Sequence, residues 1–201
     1  MKKVIFVLAV IATGGSAFRT SDAPKEKVYK VNTTESVVTW EGTKPTGVHT
    51  GTINVSAGEL MLDAKGHVAG GSFNMDMNSL KDTDMQPGKG KENLEGHLKT
   101  GDFFEVEKYP MGKFVITKVV ATPKAAATHE VTGNLTLKDK TKEVSFPATI
   151  HVANGKVTAS VPKFYINRTD WGINFHSGIT GTLQDKLIHD AVGLSIKLVA
   201  N

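Results

Sequence analysis

The residues able to do chemistry are dispersed along this chain. Its seven histidines stand at positions 49, 67, 97, 129, 151, 176 and 189. No pair of them has the short spacing of zinc ligands, so spacing assigns no metal site. His129-Glu130 begins like a zincin helix, but the second histidine does not follow. There is no cysteine, so thiolate nucleophiles and disulfides are both excluded. No Gly-x-Ser-x-Gly elbow occurs. Gly88-Lys89-Gly90-Lys91 lacks the spacing and the preceding strand of a phosphate loop and reads as a flexible turn. Two polar residues remain as candidates for ligand contact. Arg168 carries a guanidinium suited to phosphate or carboxylate. The alternative for it is a structural ion pair with Asp170 or Asp102. His97 lies on the apolar side of a short helical stretch, where a histidine more often fastens structure than meets a ligand. No catalytic residue and no cofactor emerge from these patterns, which read as those of a non-enzyme.

The elements that would position these residues are mostly strands. Short runs at 28–31 and 36–41 are rich in β-branched and aromatic residues, with a turn at Asn32-Thr33-Thr34-Glu35. A long strand region follows from His49 to Leu62, with Gly58 as a bulge or bend. The clearest alternation is Phe73, Met75 and Met77 on one face against Asn74, Asp76 and Asn78 on the other, the pattern of a half-buried antiparallel strand. Further strands are expected at 113–121, 130–137, 143–152, 156–166 and 191–199, with Asn154-Gly155 as the strongest hairpin signal. Between them Glu92 to Leu98 has helical spacing, and Asp102 with Glu105 has the form of a capping box for one more turn. Leu183 to His189 is expected to hold a turn of helix. The absence of βα alternation argues against a parallel sheet. Pattern alone leaves a closed up-and-down barrel and a sandwich open.

Lys2 and Lys3, the apolar run Val4 to Ala12 and the small residues to Ala17 have the order of a secretory signal peptide. The run is shorter than the ~20 residues needed to span a bilayer. The expected division is a signal peptide over 1–17, a polar leader over 18–27 and one domain over 28–201. Without Lys2 and Lys3 the chain has 22 basic and 20 acidic residues, which argues against a nucleic-acid partner. The secreted or periplasmic chain would have no stable insertion in a membrane, and a homodimer is compatible with it.

Three blocks carry a resemblance. They are His97-Leu98 with Asp102-Phe103-Phe104, Tyr109-Pro110 and Phe114; Val131 to Leu137 with Thr141 and Val144-Ser145-Phe146-Pro147; and Asn167 to Ile173 with its Arg-Thr-Asp-Trp-Gly core. In order and spacing the sequence resembles the YceI-like family. Two departures are Glu95-Gly96, where the family commonly has an Arg-Asp pair, and the N-terminal strands with Trp40. The resemblance implies an all-β, antiparallel, lipocalin-like barrel of about eight strands with one short helical insertion. It also implies an apolar lipid ligand of polyisoprenoid, quinone or fatty-acyl type. The lumen candidates are then Phe73, Met75, Met77, Phe103, Phe104, Phe114, Leu135, Leu137, Phe146, Trp171 and Ile173, with Arg168 and His97 as head-group candidates. The alternatives are a fully packed structural or interaction barrel and a histidine-based metal protein or enzyme.

Overall fold

A computed structural model describes residues 26–124 and 127–201. The expected signal peptide and most of the leader lie outside the described residues. Nine strands follow in chain order: β1 (Lys27–Lys30), β2 (Val37–Lys44), β3 (Gly47–Leu62), β4 (Val68–Asp82), β5 (Met111–Lys124), β6 (Ala127–Leu137), β7 (Lys140–Ala153), β8 (Lys156–Asn167) and β9 (Ala191–Ala200). One helix, α1 (Lys91–Leu98), lies between β4 and β5.

Each strand from β2 to β9 pairs antiparallel with its successor, and β9 returns to β2 through Val37↔Lys197 to Glu41↔Gly193. The sheet is therefore a closed up-and-down barrel, not a sandwich. β1 does not add a position to it. It pairs with the far end of β3, and Val31 bridges Ala200, so β1 and β2 are two pieces of one barrel strand. The break between them is the Asn32 turn. The Asn32 side chain accepts the Thr34 and Glu35 amides at 3.1 and 3.2 Å, and buried Ser36 accepts the Val199 amide at 3.0 Å in place of a backbone carbonyl. Nine segments thus fill eight positions.

The Asn154-Gly155 signal is borne out. Both residues have positive φ, 51° and 71°, as a two-residue primed turn requires. On β4, Phe73, Met75 and Met77 face inward as the alternation indicates. The alternation then changes phase. Asn54 pairs with Asp76 but Thr52 pairs with Lys81, so the residues between Asp76 and Lys81 form a bulge. Ser79 holds it, accepting the Asn54 amide and donating to the Asp76 carbonyl. Past Ser79 the buried residues are Leu80, the last of the bulge, and Asp82.

Two expected local structures differ. Asp102 caps no helix. The Phe103 and Glu105 amides both go to the Thr100 carbonyl, and Glu105 sits at φ 49°, which ends any helical turn there. Leu183 to His189 makes a single turn, with the Lys186 and Leu187 amides on the Leu183 and Gln184 carbonyls at 3.0 and 3.4 Å, and no helix, because the Ile188 and His189 amides bond the distant His176 and Thr43 carbonyls at 2.9 Å. The connection before β9 instead holds 3₁₀ turns at Arg168–Trp171 and Gly178–Thr180.

Candidate functional site

The barrel wall is continuous at one end and split at the other. Near α1, β4 runs past its last pair with β5, Asp76↔Met111; Met77 still donates to the Pro110 carbonyl at 3.0 Å, and the residues after it leave β5. On the opposite side β7 and β8 pair only from Thr149↔Ser160 to Ala153↔Lys156. The gap between them receives the 3₁₀ turn at Arg168. Trp171, 1% exposed, donates its indole N–H to the Leu135 carbonyl at 3.1 Å and seals that side.

Between these splits lies an apolar cavity of about 220 Å³. Of the sequence candidates, Met75, Met77, Phe103, Phe104, Leu135, Leu137 and Ile173 line it. Phe73, Phe114 and Phe146 do not; they line a second space of only about 40 Å³ at the other end of the lumen. Trp171 lines neither. The phenylalanines form a belt across the barrel. Ring centroids are 5.6 Å apart for Phe73–Phe114, 5.3 Å for Phe114–Phe146 and 4.6 Å for Phe146–Phe164. Gly133 admits the Phe114 ring, since a Cβ there would stand 2.4 Å from its Cζ. Along β4 the belt is one inward step from the cavity wall, Phe73 to Met75, and Phe114 lies directly opposite Leu135 of that wall.

Residues not singled out from sequence complete the cavity wall, among them Val38, Trp40, Ile53, Leu80, Ile166 and Leu194. Trp40 could have been found from its alternation with Val38 on β2; its ring lies on Gly51, where a Cβ would stand 2.4 Å from the indole Cζ2. Trp40 is 8% exposed, and its indole N–H has no hydrogen-bond partner among the described residues.

Arg168 borders the cavity but is 4% exposed and bound to the chain itself. Its guanidinium donates to the Ile173, Ile188 and His189 carbonyls at 2.9, 3.0 and 3.2 Å. Its ion-pair partner is Asp190 at 3.1 Å, not Asp170 or Asp102. Burial pulls the guanidinium below its ordinary pKa, and the Asp190 carboxylate opposes that shift. His97 lies outside the cavity lining. Its Nε2 meets Asp102 Oδ2 at 2.8 Å, and its ring stands edge-on to Phe103 and Phe175 at 5.1 and 4.9 Å. Asp102 therefore fastens His97.

The polar rim is concentrated where β3, β4 and the following loop meet. Asp82 Oδ1 accepts the Met85 amide at 2.8 Å, and Asp84 Oδ1 accepts the Thr50 amide at 2.6 Å. Glu95 of α1 accepts the Asp82 amide at 2.9 Å, and Lys91 bonds the Asp82 carbonyl. His49, Asp82 and Asp84 together form the one three-residue group among the described residues whose ligand atoms are close enough to hold a metal ion.

Comparison with known proteins places this architecture. A UPF0312 protein of Pseudomonas putida (strain W619) is 47% identical over 55 residues, covering 27% of this chain and 28% of that one. A UPF0312 protein of Pseudomonas syringae pv. tomato is 36% identical over 86 residues, 43% of this chain and 36% of the other. The chain thus matches less than two thirds of the length of these relatives. Among solved structures, BcnA of Burkholderia cenocepacia superposes with a TM-score of 0.66 at 21% identity, over 85% of this chain and 99% of that one. A polyisoprenoid binding domain from Saccharophagus degradans gives 0.58 at 13% identity, over 86% and 97%. At these identities the likeness is one of fold. The YceI-like domain matches residues 29–200, nearly all of the described chain, and the protein belongs to the YceI-like family.

Proposed function

We propose that this chain is a secreted or periplasmic carrier, cleaved near Ala17, that holds one apolar lipid of polyisoprenoid, quinone or fatty-acyl type in the cavity beside α1. The observation that carries this reading is the cavity itself: a void walled by aliphatic, methionine and aromatic side chains in a barrel that is otherwise filled. Each methylene buried there contributes ~0.8 kcal/mol. Met75 and Met77 adapt to an irregular chain because their side chains are unbranched and flexible. Phe103, Phe104, Leu135, Leu137 and Ile173 supply further wall, while Phe73, Phe114, Phe146 and Trp171 act as floor and side seal. Arg168 and His97 are engaged by Asp190 and Asp102, so head-group contact falls to Trp40. Its lone indole donor favours a lipid with a hydrogen-bond acceptor near the buried end. The solved neighbour described as polyisoprenoid binding supports the ligand class. In this reading the barrel binds and does not catalyse, and no helix of the described residues is long and apolar enough to cross a membrane.

The cavity volume favours a second reading as well. At about 220 Å³ it falls below the ~300 Å³ at the low end for ligand pockets. A carrier would enclose one end of a long lipid and leave the rest in the mouth; a packed interaction barrel would enclose none. Native mass spectrometry of protein taken from its own periplasm separates the two. A lipid adduct is expected, and Phe104→Asp should remove it while the protein stays folded. A clean apo mass with no uptake of added prenyl lipids would overturn the carrier reading.

A further inference from the structure

We infer that His49, Asp82 and Asp84 form a binding site for a divalent first-row transition ion such as Zn²⁺ at the rim of the cavity. The site is assembled by the fold. His49 lies near the start of β3, Asp82 ends β4 and Asp84 follows in the loop. The β4 bulge between Asp76 and Lys81 shifts the inward phase from Met77 to Leu80 and Asp82, which brings the Asp82 carboxylate inside. Without that bulge the alternation set by Phe73 would turn position 82 outward.

Three features point to a cation. First, each carboxylate has one oxygen pinned by a backbone amide, Asp82 by Met85 and Asp84 by Thr50. This fixes the orientation of the other oxygen, as the outer contacts of metal ligands do. Second, the two remaining oxygens converge on one nitrogen, with which Asp84 Oδ2 already shares a hydrogen bond. Asp84 Oδ2 is 3.1 Å and Asp82 Oδ2 3.9 Å from His49 Nδ1, and the three ligand atoms lie within 4.8 Å of one another. Ligands ~2.1 Å from a tetrahedral zinc stand ~3.4 Å apart, so small side-chain movements would close the set. Third, Asp82 is 1% exposed and its Oδ2 has no hydrogen-bond partner among the described residues. A buried carboxylate oxygen left unpaired is costly. Lys91, the nearest helix cation, bonds the Asp82 backbone carbonyl and Glu95.

One imidazole nitrogen with two carboxylate oxygens suits zinc and its first-row neighbours better than calcium or magnesium, which favour all-oxygen shells. His49 also lines the cavity. The ion would therefore tie the β2–β3 hairpin to the loop after β4, where the lumen opens. This holds whatever occupies the cavity.

The test is a Zn²⁺ titration of the full protein after stripping with chelator. Saturable uptake of about one equivalent is expected, with a rise in thermal midpoint and selective movement of the His49 ring resonances at one equivalent. His49→Gln and Asp84→Asn should each weaken binding at least tenfold; both positions are partly exposed, so the variants should fold. Asp82→Asn should abolish the zinc-induced rise in midpoint. No saturable uptake up to ~1 mM, or uptake that His49→Gln and Asp84→Asn leave unchanged, would overturn the site. If a variant fails to fold, the wild-type resonances decide: His49 unmoved at one equivalent is the overturning result.

Discussion

At the end of the barrel closed by the Asn154–Gly155 hairpin, the lumen is filled by rings and branched aliphatics around a space of about 40 Å³. At the end beside α1, the same inward face encloses about 220 Å³, and the wall is held by polar fasteners: the Arg168 guanidinium, the amides on Asp82 and Asp84, and Glu95 beneath Asp82. A half that is filled can rely on burial and ring contact. A half that keeps a void loses those contacts across it, and hydrogen-bonded cross-links must hold its edges.

The comparison is broken most strongly at the belt. Phe114→Ala removes the ring that touches both Phe73 and Phe146 and should cost about 3–5 kcal/mol. For a domain of this size that is a fall in Tm of about 6–20 °C, read by calorimetry. Arg168→Ala should come next. It leaves three carbonyls without their donor and the Asp190 carboxylate, whose Oδ2 still accepts from the Ser177 hydroxyl, without its ion-pair partner. Breaking a buried ion pair costs about 3–5 kcal/mol, and the quarter-exposed Asp190 brings the expectation to about 2–4 kcal/mol. Hydrogen exchange should show the loss at the α1 end, with the amides around Phe73 and Val131 still protected. Uniform loss of protection would mean that the two halves are one cooperative unit. A third variant, Leu194→Trp, places a larger side chain on the cavity wall. Filling a void stabilises by about 0.5–2 kcal/mol, so Tm should rise and lipid uptake should fall together. A fall in Tm would mean that the wall cannot take the ring.

How far the sequence reaches differs between the halves for the same reason. Period-two alternation identifies which side chains face inward, and Phe73, Met75 and Met77 were legible on β4. It cannot say whether an inward face meets another side chain or a void. Phe114 and Leu135 pair across β5 and β6, and both were lumen candidates, yet the first lines the small space and the second the cavity. The Asn154–Gly155 turn follows from local chemistry, whereas the closing pair of β2 with β9 joins residues about 160 apart and came only with the family resemblance. Asp82 does not, because the bulge that turns it inward changes the phase of the strand after its clearest stretch. Arg168 shows the same limit. Its charge was visible, but its partner Asp190 is brought back by the connection before β9. Asp102 matched a capping pattern whose helix Glu105 ends, and its carboxylate went to His97.

The smallest expected effect lies in the filled half and concerns protons. His129 on β6 has its pKa held below the usual histidine value, chiefly by burial and secondarily by His67. The folded state therefore favours the neutral ring more than the unfolded chain does. Its stabilising contribution is complete above the unfolded value of ~6.5 and is lost as pH falls through the lower folded value. Between pH 7.5 and 5 the wild type should lose Tm slightly faster than His129→Gln, which cannot take up that proton. The difference should be confined to the end of the barrel around β6 and β7, where His129 pairs with Ala148. Amide exchange measured at both pH values checks the location. Acid loosening that begins instead beside α1, or is the same in the variant, would assign the proton-sensitive group to the open half and reverse that part of the contrast.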